Sequence, residues 1–396
     1  MRTRTPLHLP MRARTTDERH RVATPLELLV DLTFVVAVAQ TSANLAEQVV
    51  HGRVAGGYAA FTMAFFAIWW AWMNFTWFTS AYDTDDVAYR IATFVQMAGV
   101  LVLAAGVGDS FASGHLVTVT IGYVVMRLGL VSLWLRAAVQ HRPGRRTALR
   151  YAAGISVLQG LWLLRLFLGG GVAGDLGSFV VLAGLEMALP VWAERAGGTS
   201  WHPHHIAERY GLFAIVLLGE SVLAATNAVA GLADSRPRLR LVALSAAGLT
   251  ILVGLWWLYF AGPAGELLEE RRAWSFVWGY GHLAVFAAIA AVGAGLEVVV
   301  LATEAGHHDP PPVSAHLAAG AVLVPLALTL ASLALVHLPG GRSPIAGAGL
   351  AVAATALAAL AWAAGTIGAV PAVCGAALVV AVLVAGSAVG RTAGAA

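Results

Sequence analysis

The sequence predicts an all-α polytopic membrane protein, with about twelve transmembrane helices arranged as two parallel six-helix repeats. Of its 396 residues, 59% are hydrophobic and only 11% are charged, whereas soluble domains contain about 25% charged residues. Apolar runs of about 20 residues recur along the chain, and each can cross the ~30 Å of bilayer hydrocarbon. The runs are continuous rather than alternating, which favours helices over a membrane β-barrel.

Twelve spans follow one another along the chain, separated by short loops that contain Gly and Pro. The predicted spans are 26–46, 54–78, 88–107, 115–137, 150–168, 176–194, 206–230, 239–261, 273–300, 313–337, 344–366 and 369–390. The first apolar run contains Glu27 and Asp31 and is not followed by a small-residue cleavage site. We therefore predict a retained first span rather than a cleaved signal peptide.

The basic residues predict the orientation of the chain in the membrane. All 24 of them are arginine, and an inside N-terminus places eighteen on the cytoplasmic side against four outside. The positive-inside rule therefore predicts that both termini lie in the cytoplasm. Because the net charge of +3 comes from these short loops, we expect the lipid bilayer as partner and no nucleic acid.

Matching residues in the two halves predict an internal repeat. Glu27 and Glu208 each open a span, and the pair Trp69-Trp70 recurs as Trp256-Trp257 at a similar spacing. Gln96 in the first half corresponds to His282 in the second half, at nearly the same separation along the chain. Six spans per half give both halves one orientation, which makes the repeat parallel. The predicted organisation is a basic cytoplasmic tail (1–25), a first repeat (26–194), a second repeat (195–390) and a short tail (391–396).

Several ionisable side chains fall inside the predicted spans, where a charge costs about 2.5–3.5 kcal/mol. Glu27 and Asp31 lie one turn apart on one helix face at the inner edge. With a rise of 1.5 Å per residue, Glu220, Glu186 and Arg127 lie about 15–18 Å deep, near the midplane. His282 lies at a depth of about 12–14 Å.

These groups allow two interpretations. In the first, a polar path crosses the membrane and Arg127 and Glu186 balance its charge. The residues of that path are Glu27, Asp31, Glu208, Glu220 and His282. In the second, Arg127 pairs with Glu186 or Glu220 as structural glue, and the acids near the start of the first span stabilise its positive end.

Three further features are expected to have structural roles rather than to form a chemical site. The His-rich run 201–205 is expected to be a solvated loop rather than a metal site, because no acid or Cys completes a ligand set. The tryptophans of the second span are expected to anchor the membrane interface and to pack the bundle, with pocket lining left open. Cys374 is expected to be an inert buried thiol. No metal and no cofactor are expected.

Three stretches resemble signatures of one family. Residues 24–40 resemble the opening motif of the bacterial low temperature requirement protein A family, although Leu29 and Val30 stand where that family tends to have aromatic residues. Residues 205–221 resemble its second signature, and 280–297 are similar to a third. The motif positions carried over from the second signature are Arg209, Gly211, Gly219 and Ser221.

The resemblance implies a multi-pass bacterial plasma-membrane protein linked by name to growth in the cold, and it supplies no reaction. The first motif is also faintly similar to potassium channels built from two six-helix repeats, whose Phe-Ser-Asp triplet this chain lacks. We predict passage of a small solute or ion. The alternatives are a membrane-embedded enzyme acting on a lipid-phase substrate, for which no nucleophile motif is seen, and a non-catalytic membrane factor. The oligomeric state is left open.

Overall fold

The computed structural model describes residues 6–15, 18, 21–114, 116–168, 171–230, 238–305, 313–338 and 347–393. Within these ranges the chain is helical and contains no strand. The helices are α1 (Pro25–Val50), α2 (Val54–Ala81), α3 (Val87–Ser113), α4 (Val117–Gln140), α5 (Arg145–Leu168), α6 (Gly171–Glu194), α7 (Pro203–Ala230), α8 (Arg238–Tyr259), α9 (Ala264–Glu270), α10 (Ser275–Ala305), α11 (Ala315–His337), α12 (Gly347–Ile367) and α13 (Ala369–Ala393).

Each of the twelve predicted spans coincides with one long helix, and the short α9 was not predicted. Ten of the helices in the described part of the chain are long and apolar enough to cross a membrane. The other two long helices, α5 and α7, are more polar: α5 has three arginines in its first six residues, and α7 begins with two His, Glu and Arg. That α5 and α7 also cross the membrane stays a prediction.

The chain divides into two compact units. Unit 1 comprises Met1–Gln40 and Met63–Arg209, and unit 2 comprises Thr41–Thr62 and Tyr210–Ala396. In unit 1, α3 packs on α4, α4 on α5 and α5 on α6. In unit 2, α10 packs on α11, α11 on α12 and α12 on α13, with α13 also on α8. The same succession of neighbours thus occurs in both units, whereas the predicted parallel repeat stays a prediction.

Glycines allow the tightest helix pair of each unit. A Cβ on Gly99 or Gly122 would collide with the backbone of the facing helix in the α3–α4 pair. A Cβ on Gly295 would likewise collide with the backbone of Ala321 in the α10–α11 pair. Such small-residue contacts let helices approach closely where lipid offers no hydrophobic driving force.

One end of unit 1 has an aromatic core. It is built from the end of α2, the start of α3, the end of α4 and the start of α5, with Trp134 stacked on Tyr151 at 4.2 Å between ring centroids. Met11, far from these helices in sequence, is fully buried in the same core. We call this the strap end, because the segment that precedes α1 lies across it.

Candidate functional site

The first turns of two helices lie side by side in unit 1 at the strap end, and each presents a pair of ionisable residues one turn apart. Glu27 and Asp31 lie on α1, and His205 and Arg209 lie on α7. Residues four apart share a helix face, so the two acids form one row and the two bases another. The rows face each other in the same order, because both helices start at this end. We call these four residues the charge-pair cluster.

The start of α1 explains why Glu27 is held in place. Thr24 precedes the helix and Pro25 is its first residue, where the fixed φ of proline suits a helix start. The Glu27 backbone N–H donates to Thr24 Oγ1 at 3.2 Å, and the Thr24 backbone N–H donates to Glu27 Oε2 at 2.8 Å. This is a capping box. The predicted helix-start role of Glu27 is therefore present, together with a second role.

The outer pair of the cluster joins Glu27 to His205. His205 Nε2 lies 3.2 Å from Glu27 Oε1 and 3.3 Å from Oε2. The hydroxyl of Thr79 on α2 donates to Glu27 Oε1 at 2.6 Å. Both members of the pair are buried, with 2% of Glu27 and 0% of His205 exposed.

The inner pair joins Asp31 to Arg209, one helical turn farther along. Arg209 Nη2 and the indole N–H of Trp72 each donate to Asp31 Oδ1 at 2.8 Å. Arg209 Nη2 also lies 3.5 Å from the hydroxyl of Thr76. Trp72, Thr76 and Thr79 follow one face of α2, because their spacing of four and three residues keeps them in register.

Four polar atoms of this buried cluster have no hydrogen-bond partner among the described residues. They are Asp31 Oδ2, His205 Nδ1, and Nε and Nη1 of Arg209. Leaving a buried polar atom unsatisfied costs about 1–3 kcal/mol, and more for a charged group. The four atoms include an acceptor and several donors, so the cluster offers hydrogen bonds to water or to a small polar ligand.

A second ion pair lies deeper in unit 1. Arg127 Nη2 lies 3.0 Å from Glu186 Oε2, and both side chains are buried. Glu186 also accepts from the indole N–H of Trp70 at 2.8 Å and of Trp162 at 3.3 Å. Arg127 Nη2 also donates to the hydroxyl of Tyr123, whereas Nε and Nη1 of Arg127 have no hydrogen-bond partner among the described residues. Of the predicted alternatives, the pairing of Arg127 with Glu186 is the one formed in unit 1.

A narrow cavity lies between α1, α2, α3 and α4, and Arg127 of the deeper ion pair forms part of its wall. Most of its wall is apolar, and its polar members are Gln96 and Arg127. Its lining residues are Val30, Phe34, Ala71, Phe75, Gln96, Met97, Met126, Arg127 and Leu130. Because Val30 neighbours Asp31 in the chain and Arg127 pairs with Glu186, the cavity wall includes helix positions next to both ion pairs.

The structure corrects the interpretation of the His-rich run 201–205. It is not a solvated loop: α7 begins at Pro203, His202 and His205 are buried, and only His204 is exposed. The apolar environment of α7 and the carboxylate of Glu27 account for the burial of His205. No group of His, Cys, Asp or Glu suited to a metal ion occurs among the described residues.

Of the two roles expected for the tryptophans of α2, interface anchoring and packing of the bundle, the structure shows packing for three of them. Trp69, Trp70 and Trp72 are fully buried. Trp70 and Trp72 donate to Glu186 and Asp31 respectively, which gives them a defined polar role. A tryptophan in an apolar run looks the same in the sequence whether its indole N–H donates a hydrogen bond or its ring only packs. The two donors could therefore not be predicted from the sequence.

Glu208 takes a different position from its neighbour Arg209. It is half-buried, and it accepts a hydrogen bond from the backbone N–H of Ala23, in the segment before α1. It lies outside the two facing rows, because adjacent helix residues point about 100° apart.

Glu220 and the other motif residues of α7 belong to unit 2. Glu220 is half-buried and lies close enough to Glu297, also half-buried, for their charges to interact. Ser221 is buried against Gly293, and its hydroxyl donates to the Leu217 carbonyl at 3.1 Å. These contacts place this part of α7 beside α10.

The other two motif positions on α7 are glycines with different surroundings. A Cβ on Gly211 would lie 2.9 Å from the ring of Phe260, so this position needs a small residue. Gly219 is exposed, and a Cβ there would meet nothing within 4 Å.

His282 lies in an aromatic cluster of unit 2. Its ring centroid is 4.1 Å from that of Trp278 and 4.9 Å from that of Tyr210. Its Nδ1 lies 2.7 Å from the Trp278 carbonyl. Tyr210 meets α10 at His282, whereas Ser221 meets it at Gly293. His282 is therefore about 16 Å along α10 from the level of Glu220, so the structure does not bring these two predicted partners together.

The comparisons with known proteins agree with the membrane architecture. A family model described as Bacterial low temperature requirement A protein (LtrA) matches residues 22–388, which include the whole charge-pair cluster. An uncharacterized protein of Rhizobium meliloti (strain 1021), RA0937, is 25% identical over 283 residues, covering 66% of this chain and 66% of that protein. No solved structure matches the chain.

Proposed function

The chain belongs to the bacterial low temperature requirement A family of multi-pass membrane proteins, and we propose that it conducts a proton or a small monovalent cation through unit 1. The charge-pair cluster is the entrance of this path. The proposal places the strap end at the cytoplasmic face of the bacterial plasma membrane, in keeping with the predicted inside N-terminus.

The observation that carries the proposal is the composition of the charge-pair cluster. It contains two carboxylates, one guanidinium and one imidazole. With a neutral imidazole the cluster has one negative charge in excess, which favours a cation over an anion. A proton on His205 or a bound monovalent cation restores neutrality, and the unpartnered oxygen of Asp31 is available to either.

The energetics support a functional role over a purely structural one. Buried ion pairs are often no more stabilising than well-packed apolar residues, because desolvation offsets their attraction. Ionisable groups inside membrane spans are accordingly associated with ion pathways and proton relays. A purely structural cluster would gain from satisfying all its polar atoms, and four of them have no partner within the described part of the chain.

The polar groups along α2 suggest how the path continues inward. Thr79 contacts Glu27, Trp72 contacts Asp31 and Trp70 contacts Glu186. Thr79 and Trp70 are nine residues apart, about 14 Å along the helix axis. This distance reaches roughly the bilayer midplane from one surface. The predicted contributions of Glu208, Glu220 and His282 stay predictions, and passage through unit 1 does not require them.

The experiment that tests the proposal is flux into liposomes that contain the purified protein. One arm follows protons with an enclosed pH-sensitive dye under an imposed potential. The other arm follows K⁺ or Na⁺ with an ion-selective dye. The variants are His205→Gln and Asp31→Asn. The matched control is His204→Gln, because His204 is the exposed neighbour of the buried His205.

We expect His205→Gln and Asp31→Asn to reduce the flux of one ion at least tenfold, while His204→Gln leaves it unchanged. The arm that responds identifies the ion. Flux through wild-type protein that does not exceed that of empty liposomes would reject ion passage. Lipid profiling of a deletion strain would then test the enzyme alternative, through the accumulation of a precursor.

A further inference from the structure

The segment before α1 lies across the strap end of unit 1 through backbone hydrogen bonds. We call its described residues, 6–15, 18 and 21–24, the N-terminal strap. The Val87 N–H donates to the Pro6 carbonyl at 3.2 Å, and the Arg14 N–H donates to the Ala81 carbonyl at 3.0 Å. The Met11 N–H donates to the Gln140 side chain at 2.7 Å. The strap thus contacts the ends of α2 and α4 and the start of α3.

The first half of the strap is anchored on Asp86. The Leu9 N–H donates to Asp86 Oδ2 at 2.7 Å, and Arg136 bridges Asp86 and the Leu9 carbonyl at 2.5 and 2.7 Å. Burial alone would raise the pKa of Asp86. The hydrogen bonds from Arg136 and from backbone N–H groups outweigh this effect and lower the pKa from 3.8 to about 2. This anchor therefore keeps its charge at every physiological pH. Met11, buried in the aromatic core, adds an apolar contact.

At the other end of the strap, Arg21 contacts α2 next to the charge-pair cluster. Arg21, only 7% exposed, donates to the Thr79 carbonyl at 2.6 Å and to the Ser80 carbonyl. The hydroxyl of the same Thr79 donates to Glu27. One residue therefore separates the strap arginine from the outer ion pair. The Ala23 N–H, bonded to Glu208, ties the strap to α7 as well.

Arg14 supports this half of the strap from the other side. Its Nη1 lies 3.0 Å from Asp83 Oδ2, and its Nη2 lies 2.5 Å from Glu18 Oε2. Because the end of α2 has carbonyls without helical partners, two arginines there also complement the negative end of the helix dipole. A cap would need only the carbonyl contacts. Ser80, whose carbonyl accepts from Arg21, is fully buried, and its hydroxyl accepts from the His202 N–H at 3.0 Å, so this residue lies between the strap arginine and the start of α7.

We propose that the N-terminal strap is a closure of the charge-pair cluster, with Arg21 as its latch. In the docked position the strap blocks access to Glu27 and His205 from the strap end. Release of Arg21 from the two carbonyls opens that access, while the Asp86 anchor keeps the strap attached. The inference rests on the proposed function for its biological meaning, and its structural content can be tested without any flux.

The test measures access to the layer between strap and cluster. The only cysteine is first removed by Cys374→Ser, and Ser80→Cys then provides a thiol next to Thr79. Labelling by a membrane-impermeant maleimide is timed in purified protein. The strap variant is Arg21→Gln, alone and with Arg14→Gln. The matched control is Arg12→Gln, because Arg12 lies on the same strap with an exposed side chain. Arg21→Lys keeps the charge and offers N–H donors from one nitrogen instead of two.

We expect labelling at least tenfold faster in Arg21→Gln, faster still in the double variant, and unchanged in Arg12→Gln. Arg21→Lys should restore most of the protection. Thermal melting checks that the variants fold. Equally slow labelling in the folded double variant would overturn the closure.

Flux through the same variants separates this inference from the proposed function. A closure predicts that Arg21→Gln raises the flux several-fold. Faster labelling with unchanged or lower flux would reduce the strap to a helix cap and overturn the closure. If wild-type protein shows no flux at all, the proposed function fails, and labelling alone still decides whether the strap controls access.

Discussion

Unit 1 and unit 2 accommodate buried polar groups in different ways. Unit 1 pairs opposite charges between helices, as in Asp31–Arg209 and Glu186–Arg127. Unit 2 surrounds His282 with aromatic rings and leaves Glu220 and Glu297 half-buried side by side. Charge pairs require helices in one register, because each group needs its partner within hydrogen-bond reach. An aromatic cluster fills space and tolerates small shifts.

Substitutions should therefore be more severe in the ion pairs of unit 1 than in the aromatic cluster of unit 2. Removing one member of a buried ion pair leaves an uncompensated charge in an apolar environment. Removing a neutral ring from an aromatic cluster costs mainly packing, and a similar ring can replace it. Besides the succession of helix neighbours, the two units share the glycine-dependent approach of α3 to α4 and of α10 to α11.

The largest effect is expected for Arg209→Met. It leaves Asp31 buried without its cation, which should lower the free energy of unfolding by about 3–5 kcal/mol. Chemical unfolding in detergent, with tryptophan fluorescence as signal, provides the measurement. His282→Phe in unit 2 is the comparison, and it should cost within about 1.5 kcal/mol, the value of one hydrogen bond.

Adding Asp31→Leu to Arg209→Met tests the reason for this loss. Replacement of a whole buried ion pair by apolar residues is often nearly neutral, so the double variant should recover most of the stability. Equal losses for Arg209→Met and His282→Phe, or no recovery in the double variant, would remove the distinction between the two units.

A smaller effect is expected at the shared feature. Gly295→Ala places a Cβ against the backbone of Ala321, and such overpacking costs about 1–3 kcal/mol. The matched control is Gly320→Ala on α11, where an added Cβ would meet nothing within 4 Å. The control should gain up to about 1 kcal/mol, because alanine favours a helix more than glycine does. Gly122→Ala should behave like Gly295→Ala, and a tolerated Gly122→Ala would show that α3 and α4 can separate.

The smallest effect concerns pH. Burial raises the pKa of Asp83, beside the strap, from 3.8 to about 6, although Arg14 and Arg21 lower it. The folded protein therefore binds this proton more tightly than the unfolded chain. The tighter proton binding of Asp83 adds to the free energy of unfolding. This addition is complete below pH 3.8 and is lost as the pH rises through about 6. Between pH 5 and pH 7 this amounts to roughly 1 kcal/mol.

Asp83→Asn should remove this part of the pH dependence. Melting temperatures of both proteins at pH 5, 6 and 7 provide the measurement, with Asp85→Asn as control because Asp85 is exposed and lies two residues away. If wild-type protein and Asp83→Asn melt with the same pH profile, Asp83 titrates normally in the folded state.

Much of the fold could be predicted from the sequence, because each apolar run of sufficient length must form a helix that satisfies its own backbone in lipid. All twelve predicted spans coincide with helices to within several residues. The ionic nature of the site was also visible, since Glu27 and Asp31 one turn apart are unusual in such a run. The partners of these acids were not visible, because His205 and Arg209 are about 180 residues away in the chain.

The helical membrane class, the approximate bounds of the helices and the ionisable groups within them could all be predicted from the order of residues along the chain. Tertiary structure alone decided that α1 and α7 face each other with acids against bases, that Trp72 and Thr79 are hydrogen-bond donors, and that the strap is folded onto unit 1. The length of an apolar run depends only on residues that are neighbours in the chain, so it can be read without knowing the fold. The partner of a buried charge depends on which helices meet and in which register.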